Sequence, residues 1–382
     1  MREKLQKILG QIWEFIKKVS IPDAIFVAVI LILFILPNTK FDKKEYEFVE
    51  KRPLATMPNL IIDGKINKEF GKQFENFYND RFRKRNVCID KNMAIKAFIN
   101  CRKENALEVE GVNNWLFYKG DNSVANFQNK VLFSDVELLK IKQNLDILNA
   151  WCRKNNIKLI VIVPPDKNRI YGEYYPKHIK KVNPKSRVEL LREYMSENSN
   201  IEIIYPVEQM FERKKLDNEP LYYYSDTHWT QTGSYVAYKE LLKRMKKHYS
   251  FIVPIDNADL KTTRMTFKER FNREGDGVDN LKMGGRYNDH DYLVFQDLKN
   301  GQNEKKYNLR VTFLGDSFSG ELRGWFSRSF YVNSITYNET VELADNFSMA
   351  LWEDKILSYK PDVLVVEFLE RYAYKLLDLY KD

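Results

Sequence analysis

The sequence predicts an α/β fold, a parallel sheet covered on both faces by helices, and three observations predict it. Short, mostly apolar segments recur at 157–163, 201–205, 309–314 and 363–368. Stretches with apolar residues at helical spacing lie between and around them, at 136–155, 187–198, 231–247 and 347–359. The strand segments are short and mostly apolar, and strands of that kind alternating with helices indicate a parallel sheet covered on both faces.

Composition sets the bounds. At 382 residues, with 44% hydrophobic and 30% charged, the chain can bury a large core. The formal net charge is +9, and the first 20 residues account for about a third of it. No run of Lys and Arg makes a nucleic-acid stripe, so no nucleic-acid partner is expected; a mild basic excess suits an anionic polymer or a membrane surface. Cys88, Cys101 and Cys152 are too few and too scattered for a disulfide framework or a zinc site; unpaired thiols are expected, with a Cys88–Cys101 bridge as the alternative.

Arg2, Lys4, Lys7, Lys17 and Lys18 precede the apolar stretch 21–36, whose uninterrupted part is 13 residues. A spanning helix needs about 20 apolar residues. Extension back to Val19, with Asp23 near the headgroups, supplies the length. Pro37-Asn38-Thr39-Lys40 lacks the small residues of a cleavage site, so residues 1–37 are expected to be a basic segment and an uncleaved transmembrane helix. The basic flank puts the N-terminus inside the cell and everything from Asn38 beyond the cytoplasm.

Residues 38–107 read as a helical approach segment. The prolines of Lys51-Arg52-Pro53-Leu54-Ala55-Thr56-Met57-Pro58 favour an extended course. Phe70, Phe74, Phe77, Tyr78 and Phe82 recur at helical spacing, which marks a core-facing stripe, with Arg81, Arg83 and Arg85 as a solvated face. Residues 108–382 are expected to form one domain, the one that carries the alternating strands and helices. Gly111 to Tyr118 is a turn entering a strand, and the Gly-rich, polar stretch 257–306 is an insertion of loops with room for a hairpin.

Open parallel sheets bind ligands outside the carboxyl ends of their strands. Three chemically suggestive segments fall there: Pro164-Pro165-Asp166-Lys167-Asn168-Arg169, Gly315-Asp316-Ser317, and Leu369-Glu370-Arg371-Tyr372. A serine hydroxyl is a poor nucleophile without a base in hydrogen-bond reach. Of the four histidines, His228 lies two residues after Asp226, a spacing that lets the acid orient the ring. Asp226, His228 and Ser317 are therefore a candidate Ser-His-Asp triad for acyl transfer through an acyl-serine, with the Ser317 amide as one oxyanion donor. Trp229 is either a buried anchor or a stacking surface for a sugar ring. Lys167, Asn168, Glu370 and Arg371 either contact the substrate or pair with nearby charges. His178 and His248 read as structural. Asp276-Gly277-Val278-Asp279 and Asn288-Asp289-His290-Asp291 lack the spacing of a calcium or zinc site, so neither a metal nor another cofactor is expected.

The ordered set Arg52-Pro53-Leu54-Ala55, Asn79-Asp80-Arg81-Phe82, Trp115-Leu116-Phe117, Val163-Pro164-Pro165-Asp166-Lys167, Asp226-Thr227-His228-Trp229, Gly315-Asp316-Ser317-Phe318 and Glu370-Arg371-Tyr372 resembles the alginate O-acetyltransferase (AlgX/AlgJ) family and its Asp-His-His-Trp relatives. Thr227 stands where that signature has its first histidine. The resemblance implies an SGNH hydrolase-like (flavodoxin-like) three-layer α/β/α fold and a triad at Asp226, His228 and Ser317. It also implies O-acetylation of an exported or cell-surface polysaccharide, with acetyl relayed by a membrane-bound O-acyltransferase. An acetylesterase, or a catalytically silent glycan-binding partner of such a membrane enzyme, are the competing expectations.

Overall fold

The structure, a computed structural model, describes residues 52–62, 64–82, 107–281, 287–299, 306–336 and 352–380, with short runs and single residues elsewhere. Two compact units divide the chain, residues 1–99 and 100–382. The stretch 19–36 expected to span a membrane lies largely outside the described residues. Among the described residues no helix is long and apolar enough to cross one. Ile25, Phe26, Val29 and Leu31 of that stretch are helical and exposed.

In the first unit, helix α1 (Phe70–Arg81) carries the expected aromatic stripe: Phe70 stacks on Phe74 and Phe74 tilts against Phe77. Arg81 corrects the solvated-face expectation. Its buried guanidinium donates to the carbonyls of Ala55 at 2.5 Å and Leu54 at 3.3 Å, while the Ala55 amide donates to Asp80 Oδ2 at 2.9 Å. An extended Pro-containing stretch leaves backbone groups without ladder partners, and this helix end supplies them. Arg85 donates to the Asn79 carbonyl, and Arg83 lies outside the described residues.

The second unit begins with an antiparallel pair, β1 (Glu108–Glu110) and β2 (Leu116–Tyr118). Asn113 and Asn114 make its turn with positive φ, a conformation their short polar side chains tolerate. There follow α2 (Asp135–Lys154), β3 (Lys158–Ile162), the short α3 (Lys167–Ile170), α4 (Arg187–Asn198), β4 (Ile203–Ile204), α5 (Val207–Lys214) and α6 (Gln231–Lys246). The insertion holds the antiparallel hairpin β5 (Leu260–Thr266) and β6 (Asp291–Leu298). After it come β7 (Arg310–Gly315), α7 (Ser319–Ser327), β8 (Tyr331–Thr336), α8 (Glu353–Ser358) and β9 (Val363–Glu367).

The main sheet has the order β8-β7-β9-β3-β4 and is parallel throughout. All five residues of β9 are buried, as a central strand between helical layers requires. The carboxyl ends of β3, β7 and β9 lie side by side. They bring the segments after residues 162, 315 and 367 to one rim. Cys88 and Cys152 are free thiols; Cys101 lies outside the described residues.

Candidate active site

The site is built upward from the end of β7. Gly315 sits where a side chain has no room: a Cβ would lie 2.5 Å from Glu367 Oε2 and 2.8 Å from the Glu367 carbonyl. The next amide, of Asp316, donates to the same Oε2 at 3.1 Å. The buried Asp316 carboxylate then accepts the amides of Phe318 and Leu369, both at 2.9 Å. The turn is thus tied to β9 and to the chain that leaves β9. Burial, reinforced by the Asp316 charge, pushes Glu367 well above the usual carboxylate range. Ser317 is left exposed at the top of the turn, and its amide donates to no described residue.

The histidine arrives on a tight loop. Tyr222 and Trp229 form an antiparallel bridge, the Tyr223 amide donates to the His228 carbonyl at 3.1 Å, and the Thr230 amide to the Leu221 carbonyl at 2.9 Å. Thr230 caps α6, accepting the Gly233 amide. At the loop tip Asp226 Oδ1 accepts both the His228 amide at 2.9 Å and, at 2.6 Å, the His228 ring at Nδ1. An aspartate that bonds its own backbone two residues on is the reason this spacing holds the ring. His228 Nε2 lies 2.7 Å from Ser317 Oγ. With the Nδ1 proton directed at Asp226, Nε2 is free to accept from the serine.

Asp226 is buried, and burial works against its charged form. The His228 ring outweighs it, with hydrogen bonds from that ring and from the amides of Asp276 and His228, and holds the carboxyl well below the usual range. The Asp276 amide reaches Oδ2 at 3.0 Å, brought there by the insertion: the Gly277 amide donates to the Ser225 carbonyl at 3.0 Å, and Gly275 passes against that same carbonyl. The Asp276 carboxylate also comes within 4.8 Å of the Asp226 and His228 ligand atoms. The Asp226 and His228 atoms are already engaged with each other, and Asp276 Oδ1 pairs with Arg273 at 3.0 Å.

The five residues weighed as substrate contacts are all turned inward. Trp229 is 0% exposed, donates Nε1 to the Phe318 carbonyl at 3.1 Å and meets the Phe318 ring edge-on, so it has no face for a sugar. Lys167 donates to three backbone carbonyls. Asn168 donates to Ser123 Oγ at 3.2 Å. Arg371 pairs with Asp166 at 2.5 Å, and Arg169 with Glu370 at the same distance. The Asp166 amide donates to Glu370 Oε2, so two acids and two arginines weld the segment after β3 to the segment after β9. Glu367 escaped notice in the sequence, although one acid inside an apolar strand run was its signal. The Asp276 amide gave none.

Residues 109–327 match the family described as SGNH hydrolase-like domain, acetyltransferase AlgX. The chain is similar to Bacillus cereus PatB1 (14% identity, 71% of this chain and 96% of that one, TM-score 0.46). It is also similar to the O-acetyltransferase domain of Pseudomonas putida AlgJ (16%, 72% and 93%, TM-score 0.43). A DHHW family protein from Eubacterium siraeum is a third (14%, 72% and 100%, TM-score 0.44). No curated protein matches.

Proposed function

The chain belongs to the SGNH hydrolase-like family of the acetyltransferase AlgX, and from that membership we propose that it is an O-acetyltransferase whose nucleophile is Ser317. The observation that carries the reading is the unbroken hydrogen-bonded path from buried Asp226 through His228 to an exposed Ser317 hydroxyl. Ser317 Oγ attacks the carbonyl of an acetyl ester while His228 Nε2 takes its proton. The proton passes to the leaving alcohol, which departs and leaves acetyl-Ser317. In the second half an acceptor hydroxyl gives its proton to His228 and attacks the acetyl group, forming the new ester, and His228 returns the proton to Ser317 Oγ as the serine leaves. The Ser317 amide faces the developing oxyanion.

The acceptor in this reading is an exported or cell-surface polysaccharide. Acetyl is supplied across the bilayer by a membrane-bound O-acyltransferase, and the chain is held at the membrane by its N-terminal segment with the catalytic unit outside. The basic flank and the exposed apolar helical residues Ile25, Phe26, Val29 and Leu31 support that placement. The test incubates the purified chain with an aryl acetate, with and without oligosaccharides. Acetylated sugar is expected from the wild-type protein, with a loss of at least about 1,000-fold in Ser317→Ala. Acetyl release that no sugar alters or diverts contradicts the transferase.

A further inference from the structure

We propose that Lys167 is a positioning residue of the triad, its ammonium fixing the backbone that carries Asp226. The proposal rests on the acyltransferase reading above. Lys167 opens α3, directly after β3, and its side chain is buried beneath the loop 221–230. Nζ donates to the carbonyls of Leu116 at 2.6 Å, Asp226 at 2.9 Å and Tyr224 at 3.1 Å. An ammonium has three protons, and three carbonyls converge on this one. The rings of Trp115 and Phe117 lie 5.1 Å and 5.2 Å from Nζ, a setting that favours a cation.

What separates this lysine from an ordinary core strut is the identity of its acceptors. The Tyr224 carbonyl also receives the Leu116 amide, and the Ser225 carbonyl receives the Gly277 amide. Among the described residues no other donor reaches the carbonyl of Asp226. The peptide that aims the Asp226 carboxylate at His228 is thus anchored to the sheet rim through Lys167. Burial pulls this amine down to about 7, against the charges of Glu108, Asp226 and Asp289. No carboxylate among the described residues lies within ion-pair distance of it, so the bonds that hold it are those to the carbonyls. Removing the ammonium leaves a buried carbonyl unsatisfied beside the acid, which relaxes by moving or by admitting water.

The consequence is a fault in orientation rather than in binding. In full-length Lys167→Met, kcat for aryl acetate turnover is expected to fall about 100-fold with KM unchanged, the size of effect a small misplacement of reacting groups produces. The far-downfield proton resonance of the Asp226–His228 hydrogen bond is expected to shift or vanish. Should Lys167→Met fail to fold, the same two readouts on Lys167→Arg decide, since a planar fork cannot serve three converging carbonyls. Wild-type kcat together with an unmoved resonance, in a folded variant, overturns the proposal. Absence of turnover in the wild-type protein with that resonance present sinks the acyltransferase reading instead.

Discussion

Asp226 keeps its charge in a place where burial opposes it, because three hydrogen bonds and the His228 ring converge on one carboxylate. Asp226→Asn keeps the shape but presents an amide to Nδ1, so the ring loses its orienting acceptor. Turnover is expected to fall about 10,000-fold with melting temperature little changed; a fall under 10-fold contradicts the role. Glu108 shows the opposite balance: burial pushes its carboxyl up to about 8, against a hydrogen bond from Asn280 and the Lys167 charge. An acid with a higher pKa folded than unfolded binds more protons in the native state, so stability declines as pH rises from about 4.3 toward 8. Glu108→Gln keeps the acceptor for Asn280. It should raise the melting temperature at pH near 8, and the gain should vanish near pH 4; a gain independent of pH refutes this. Trp229→Phe removes the bond to the Phe318 carbonyl and is expected to lower kcat without changing KM for an oligosaccharide acceptor. A selective rise in that KM would restore the stacking role that burial denies. Asp226, His228 and Ser317 were legible as candidates at this scale because an acid two residues before a histidine, and a serine on the turn after an apolar strand, carry chemistry in their identities. The inward turn of Lys167, Asn168 and Arg371 was not, since a polar residue on a loop reads the same whichever way it points.

The elements follow from local chemistry where that chemistry is strong. The helices Asp135–Lys154 and Arg187–Asn198 lie within about a residue of the expected 136–155 and 187–198; each opens on a serine-glutamate capping box, at Ser134 and Ser186. Ser134→Ala is expected to lower stability by about 1 kcal/mol in denaturant titrations, with activity per folded molecule unchanged. The strand Tyr331–Thr336 was not legible: it lies at the sheet edge, and only Ile335 in it is buried. The long helix expected over 347–359 is described only as Glu353–Ser358, with 347, 348, 350 and 351 outside the described residues. The turn after β7 is the most exacting element. Gly315→Ala drives a methyl against Glu367, so the turn must shift. Transfer should be lost disproportionately to stability, and wild-type turnover in that variant would show the turn to be more forgiving than its contacts indicate.

Across the whole molecule, the parallel sheet gathers three loop segments at one rim, and the insertion closes over Asp226 from outside the sheet. Alternation of strand and helix made the sheet legible. The insertion's contribution through the Asp276 amide was hidden, because a backbone donor leaves no trace in residue identity. In the proposed reading the N-terminal segment holds the chain at the membrane. The full chain is expected to sediment with membranes and resist carbonate extraction, and a chain beginning at residue 38 to remain in solution; equal behaviour of both contradicts the anchor. The central claim concerns a covalent bond, and its most direct measurement is mass spectrometry of the chain quenched during turnover of an acetyl ester. The mass of one added acetyl group on the peptide containing Ser317, absent in Ser317→Ala and persisting in Asp226→Asn only at trace level, is the expected result. Acetylated saccharide formed at wild-type rate by Ser317→Ala would contradict it.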